Sequence, residues 1–141
     1  MYNQPMEEKE MTDLQLARLA VEALENAYAP YSRFRVGAAL VTDDGAVFVG
    51  VNVENASYGL TVCAERVAIF NAVSSGHRKV ARIAVACSNG QEVFPCGACR
   101  QVLHEFGPGM KVVTLAGDEK VSSYSLASLL PHSFGPQDLQ K

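Results

Sequence analysis

Cys96-Gly97-Ala98-Cys99 spaces two thiols one helical turn apart, a pattern that serves zinc binding or redox chemistry. A third thiol, Cys63, stands well upstream in Cys63-Ala64-Glu65. Each cysteine group falls where the surrounding pattern starts a helix. The unpaired amides and the positive end of the helix dipole stabilise a thiolate there, which lowers the thiol pKa and favours metal capture. Three thiolates give Zn²⁺ three ligands and leave the fourth tetrahedral position for water, the open arrangement of a catalytic site. Glu65 then supplies a proton carrier, because a carboxylate beside a metal water acts first as general base and afterwards as general acid. Three thiolates on Zn²⁺ leave a net negative charge, which calls for a nearby cation, and Arg66 is the candidate.

These residues need elements to bring them together. Residues 1–11 are polar and acidic and read as a mobile leader, so a single folded domain is expected over residues 12–141. Thr12-Asp13-Leu14-Gln15 fits a capping box. Leu14, Ala17, Val21, Leu24 and Tyr28 then recur at helical spacing, predicting an amphipathic helix that stops near Ala29, before Pro30. Arg35–Thr42 and Ala46–Val53 are Val-rich runs flanking Asp43-Asp44-Gly45, a hairpin signal. A polar loop over Glu54–Thr61 leads into a helix over Val62–Val73, closed by Ser74-Ser75-Gly76. Ile83–Cys87 reads as a buried strand, Asn89-Gly90 as a turn and Ala98–Phe106 as a second helix, broken by Gly107-Pro108-Gly109. Lys111–Ala116 is a further strand, Val121–Tyr124 a weaker fifth one and Leu126–Leu130 a final helical turn. This order favours an α/β sheet with helices packed on its faces.

The chain has 141 residues, 48% hydrophobic and 19% charged, the balance of one domain able to bury a core. Its net charge of -3 gives no basic surplus with which to meet the phosphates of a long nucleic acid. Apolar runs fall far short of the roughly 20 residues that span a bilayer. The first ten residues lack a basic start and an apolar stretch, so no secretion signal is read there and a cytoplasmic location is expected. Cysteines are reduced in that compartment, which favours metal binding or catalysis over disulfides. Cys87 ends an apolar strand and reads as core, while His77, His104 and His132 fit no ligand position.

Cys63-Ala64-Glu65 and Pro95-Cys96-Gly97-Ala98-Cys99 match the zinc-deaminase pattern H-x-E…P-C-x-x-C, with cysteine in place of the histidine. Together with Asn52-Val53-Glu54-Asn55-Ala56-Ser57-Tyr58, Cys63-Ala64-Glu65-Arg66 and Cys99-Arg100-Gln101, the chain resembles the small homotetrameric cytidine deaminases over residues 12–139. The resemblance implies a three-layer α/β/α sandwich around a mixed five-stranded sheet. It implies one Zn²⁺ per subunit on Cys63, Cys96 and Cys99, with Glu65 as proton carrier and Arg66 donating to the thiolates. By the same likeness Asn52 and Glu54 bind ribose hydroxyls, Phe34 lines the base pocket and the Ala64 amide holds the base carbonyl. The loop carrying Ala56 and Tyr58, and Phe134 in Ser133-Phe134-Gly135-Pro136, would reach the site from neighbouring subunits of a homotetramer. The implied reaction is hydrolytic deamination of a small nucleoside, cytidine or deoxycytidine, in pyrimidine salvage, with neither nucleic acid nor membrane as partner.

Two other readings share some of these residues. Blasticidin S deaminase has the same three-cysteine pattern and differs in substrate. A non-catalytic module would close a four-cysteine zinc site with Cys87 as the fourth ligand. A thioredoxin-like oxidoreductase leaves Cys63-Ala64-Glu65 without a role.

Overall fold

Two runs of β-branched and small apolar residues form the centre of the molecule. In the computed structural model, which describes residues 11–140, β1 (Val36–Thr42) and β3 (Val80–Cys87) are buried along nearly their whole length. Such continuous burial requires cover on both faces of a sheet. β1 pairs antiparallel with β2 (Val47–Val51) on one side and with β3 on the other. β3 pairs parallel with β4 (Lys111–Ala116), and β4 antiparallel with β5 (Lys120–Ser125), giving a mixed five-stranded sheet in the order β2-β1-β3-β4-β5. On one face α1 (Asp13–Ala23) sets Leu16, Ala17 and Ala20 against Ala39, Val41, Ala84 and Val113. On the other, α2 (Ala64–Ser74), α3 (Gly97–Phe106) and α4 (Leu126–Leu129) cover Leu40, Phe48, Ile83 and Val112 with Ala68, Ile69, Leu103 and Leu126. The three-layer α/β/α sandwich is the expected one. Among the described residues no helix is long and apolar enough to cross a membrane.

The hairpin between β1 and β2 forms at the predicted turn, where Gly45 takes φ 90° and its amide returns to the Thr42 carbonyl. α1 departs from its predicted stripe. Val21 and Tyr28 are exposed, and the buried residues are Leu16, Ala17, Ala20 and Ala23. The reason is a close approach to β1: a Cβ on Gly37 would sit 2.0 Å from the Ala20 carbonyl oxygen. Bulky residues cannot face so near a strand, so alanines do. α1 also ends at Ala23 and tightens into one 3₁₀ turn over Leu24–Asn26, short of Ala29. Met11, assigned to the leader, is buried in the α1 core cluster, and the rest of that segment lies outside the described residues.

Register brings several chain ends to one edge of the sheet. Val36 lies opposite Cys87 and Gly37 opposite Val51, so the start of β1, the end of β2 and the end of β3 coincide. Isolated bridges from Tyr28 to Val53 and from Val53 to Val62 return the chain to this edge before α2 begins. α2 is seated by backbone contact with β2. A Cβ on Gly50 would lie 2.4 Å from the Ala68 nitrogen and 2.5 Å from the Ala64 carbonyl oxygen. α3, which connects two parallel strands, must run back from the same edge.

At the far end Asp13, the first residue of α1, accepts from Arg82 Nη1 at 2.8 Å and from Lys111 Nζ at 2.9 Å, tying the helix to β3 and β4. Burial acts to raise the Asp13 carboxyl, but hydrogen bonds from Lys111 and Arg82 outweigh it and hold the group below its ordinary value of 3.8. A depressed carboxyl contributes stability above its unfolded pKa and loses it as the pH falls through the folded one. Asp13→Asn is therefore expected to lower stability at pH 7 by about 1.5–3 kcal/mol, more than an exposed pair contributes because Arg82 is nearly buried. In urea denaturation the difference from the wild type should shrink toward zero as the pH drops below 3.8.

Candidate active site

Cys63 and Cys96 are the N-cap residues of α2 and α3, each with extended backbone angles and neither with a side-chain cap. The predicted α2 start at Val62 is thus two residues early, because Cys63 itself stays extended (φ -72°, ψ 154°) so that its sulfur can turn toward the other helix. Cys99 lies in the first turn of α3 and is fully buried. The Sγ atoms of Cys63, Cys96 and Cys99 all fall within 4.8 Å of one another, with 3.9 Å between Cys63 and Cys96 and 3.5 Å between Cys96 and Cys99. Zn–S bonds of about 2.3 Å at a tetrahedral centre require sulfurs about 3.8 Å apart. All three cysteines are free, and the donor set fits zinc.

The sulfurs share their protons unequally. Hydrogen bonding with Cys99 pulls the Cys63 thiol down to about 5 against the cost of burial, with Arg66 assisting. The same hydrogen bond and burial push Cys99 far up. Arg66, one turn into α2, brings Nη2 to 3.4 Å from the Cys63 sulfur, and its Nε is buried with no protein partner among the described residues. A guanidinium so placed offsets the negative sulfur cluster. Cys87 takes no part. It is buried at the end of β3, where its thiol donates to Asn89 Oδ1 at 3.0 Å. The closed four-cysteine reading therefore lacks its fourth ligand.

Glu65 occupies the first turn of α2 and is only 4% exposed. Burial pushes its carboxyl up to about 7, its own backbone amide and Arg66 oppose the shift, and the Cys63 thiolate adds to it. The structure thus brings Glu65, Arg66 and the three cysteines together. Ala64, the first residue of α2, is fully buried, and its amide belongs to the helix turn whose N–H groups have no intrahelical partner.

Tyr31, Ser32, Glu54, Asn55, Tyr58 and Thr61 line a cavity of about 340 Å³, whose last lining residue stands two residues before Cys63 in the chain. The Glu54 carboxylate accepts from the amides of Tyr31 and Ser32 at 3.0 and 3.1 Å and from the Ser32 hydroxyl, which hold it below its usual range. Asn52 is buried, accepting from Val36 N at 2.9 Å and donating to the Phe34 carbonyl at 2.8 Å, which leaves one Nδ2 hydrogen. Both residues thereby shape the loop that presents Phe34, itself partly exposed and outside the cavity lining. Tyr58 is 76% exposed in a single 3₁₀ turn and meets Tyr31 with ring centroids 6.0 Å apart. Ala56 is exposed in the preceding loop. Phe134 is exposed, away from this cavity, with its carbonyl accepting from Gln101 Nε2 at 2.8 Å.

Residues 10–116 match the family described as the cytidine and deoxycytidylate deaminase zinc-binding region. The chain belongs to this deaminase family. It is 50% identical over 127 residues to a cytidine deaminase of Halalkalibacterium halodurans, covering 88% of this chain and 95% of that protein. To a cytidine deaminase of Sporosarcina psychrophila it is 47% identical over 121 residues, covering 84% and 88%. The crystal structure of the Burkholderia pseudomallei cytidine deaminase superposes with a TM-score of 0.83 at 52% identity, over 88% of this chain and all of that one. That of the Mycobacterium tuberculosis cytidine deaminase gives 0.75 at 42% identity, over 85% and 94%.

As a member of the family the chain is a zinc-dependent hydrolase with one zinc per subunit. Sequence reasoning missed Ser32, which bonds both Glu54 and the Phe34 amide, at 3.0 Å for the latter. Its position two residues after Pro30 was a turn signal that pointed to it. In this deaminase Cys96→Ser is expected to abolish tight zinc binding, whereas Cys87→Ser keeps one zinc per chain. Metal content after gel filtration, measured by atomic emission, distinguishes the two.

Proposed function

We propose that this deaminase hydrolyses the 4-amino group of cytidine and deoxycytidine, yielding uridine or deoxyuridine and ammonia. We place it in cytoplasmic pyrimidine salvage, as a homotetramer whose sites are shared between subunits. The carrying observation is the buried, proton-holding Glu65 beside three convergent thiols at the open sheet edge. Relatives named as cytidine deaminases along most of their length support the substrate.

Cys63, Cys96 and Cys99 would hold the zinc, which would supply the Lewis acidity that makes water a competent nucleophile near neutral pH. Glu65 takes one proton from the attacking water and delivers it to N3 of the base as C4 becomes tetrahedral. It then carries the second water proton to the departing amine, so that ammonia leaves and the C4 carbonyl forms. A carboxyl raised to about 7 by burial exchanges protons readily at that pH. The Ala64 amide holds the base carbonyl. The Cys96 carbonyl, which accepts from Arg100 N at 2.9 Å, keeps a lone pair for the leaving amino group.

Ribose hydroxyls meet the remaining Nδ2 hydrogen of Asn52 and the outer lone pairs of Glu54, and Phe34 packs against the base. Ala56, Tyr58 and Phe134 complete the site of a neighbouring subunit. The exposure of Tyr58 and Phe134 supports this, because large aromatic surface left in water favours burial against another copy.

Zinc-replete protein is expected to convert cytidine to uridine, followed by the ultraviolet change and confirmed by chromatography. Glu65→Gln should retain zinc while kcat falls on the order of 10²–10⁴-fold. A light-scattering mass near that of one 15.2 kDa chain would overturn the shared-site arrangement.

A further inference from the structure

The segment between β3 and α3, residues 88–96, delivers Cys96 without helix or strand to support it. Cys96 is also the exposed ligand of the three, whereas Cys99 is buried in α3 and Cys63 is braced by Arg66. Something else must fix where this segment ends. Arg100 Nε holds the Pro95 carbonyl at 2.8 Å, and two further contacts come from the β4–β5 edge of the sheet. The Glu92 carboxylate accepts from Thr114 Oγ1 of β4 at 2.6 Å and from the Tyr124 hydroxyl of β5 at 2.8 Å. The ring of Phe94 meets the ring of Tyr124 nearly edge-on, with centroids 5.1 Å apart.

Register explains why both donors face this segment. Thr114 pairs with Ser122, and Val112 pairs with Tyr124, so Thr114 and Tyr124 share a face with Val112. Val112 belongs to the core cluster under α2 and α3, which is the zinc side of the sheet. Tyr124 therefore grips residue 92 by its hydroxyl and residue 94 by its ring, immediately before Pro95 and Cys96. Hydrogen bonds to a carboxylate are the strong kind, and here two converge on one oxygen.

We propose that Tyr124 and Thr114, acting through Glu92, are positioning residues of the zinc site that hold Cys96 in register with Cys63 and Cys99. This role rests on the three-cysteine zinc site and not on the choice of substrate, so its test needs no turnover. The readout is the rate at which zinc passes from the holoenzyme to a chromogenic chelator. A second readout is the thiolate-to-metal absorption of the cobalt-substituted protein.

Glu92→Ala is expected to speed zinc release about tenfold, in the range typical of residues that orient metal ligands. Tyr124→Phe keeps the ring contact with Phe94 and should give a smaller increase of the same sign. Glu92→Gln retains an acceptor oxygen and should restore the wild-type cobalt spectrum and most of the retention. Glu119→Ala, on the β4–β5 turn where the carboxylate pairs instead with Arg18 at 2.7 Å, should leave both readouts unchanged. The proposal is overturned if Glu92→Ala and Tyr124→Phe release zinc at the wild-type rate, even with lowered melting temperature. It is equally overturned if Glu119→Ala speeds release as much as Glu92→Ala. Should Glu92→Ala fail to fold, Tyr124→Phe decides alone.

Discussion

Bringing three sulfur atoms within a few ångströms of one another is the requirement to which the surrounding architecture answers. Thiolates repel, and burial penalises each of them, so the cluster needs positive potential from several directions. Two helix N-termini supply part of it, since Cys63 and Cys96 cap α2 and α3 with their unpaired amides close by. The Arg66 guanidinium supplies more. In the metal-free protein Cys99 holds its proton, while Cys63 is already ionised near neutral pH. Filling the site requires thiolates and therefore releases protons, so zinc affinity rises with pH until the sulfurs are fully ionised.

Placing two helix starts side by side is a matter of sheet register and close packing. Because β3 and β4 run parallel, α3 must start at the same edge where β2 hands the chain to α2. Gly50 then lets β2 and α2 meet backbone to backbone, and alanines at 64, 68 and 72 keep that approach along the helix. The same edge collects Phe34, Asn52 and Glu54, and Glu54 lines a cavity there with Tyr31, Tyr58 and Thr61, residues far apart in the chain.

The metal site was the most legible part of the sequence. Cys63-Ala64-Glu65 and Cys96-Gly97-Ala98-Cys99 carry fixed spacings tied to helix starts, and such local signals survive folding unchanged. The strands were legible because β-branched runs between turn residues leave few alternatives, and Gly45 closed the hairpin where it was expected. The inner face of α1 was not. Its orientation is decided by how near Gly37 lets the helix come, a long-range steric fact that rewards alanine over leucine and is invisible to a count of bulky residues. The tasks of Ser32, Glu92 and Tyr124 were likewise hidden, because each acts through a partner on another element. Asn52 and Glu54 looked like free polar residues on a strand edge, yet much of their hydrogen-bonding capacity is spent on the loop before β1.

The interlock at Gly50 also limits how the enzyme can be redesigned. With β2 pressed on Ala64 and Ala68, the helix carrying Glu65 can neither slide nor rotate without collision. Its reactive groups therefore behave as a rigid block, and bulkier or differently substituted bases cannot be admitted by shifting it. Room for new substrates has to come from loops that make no such contact, those bearing Phe34, Tyr58 and Phe134. Libraries confined to these loops should alter selectivity while leaving the metal and the proton-transfer machinery intact.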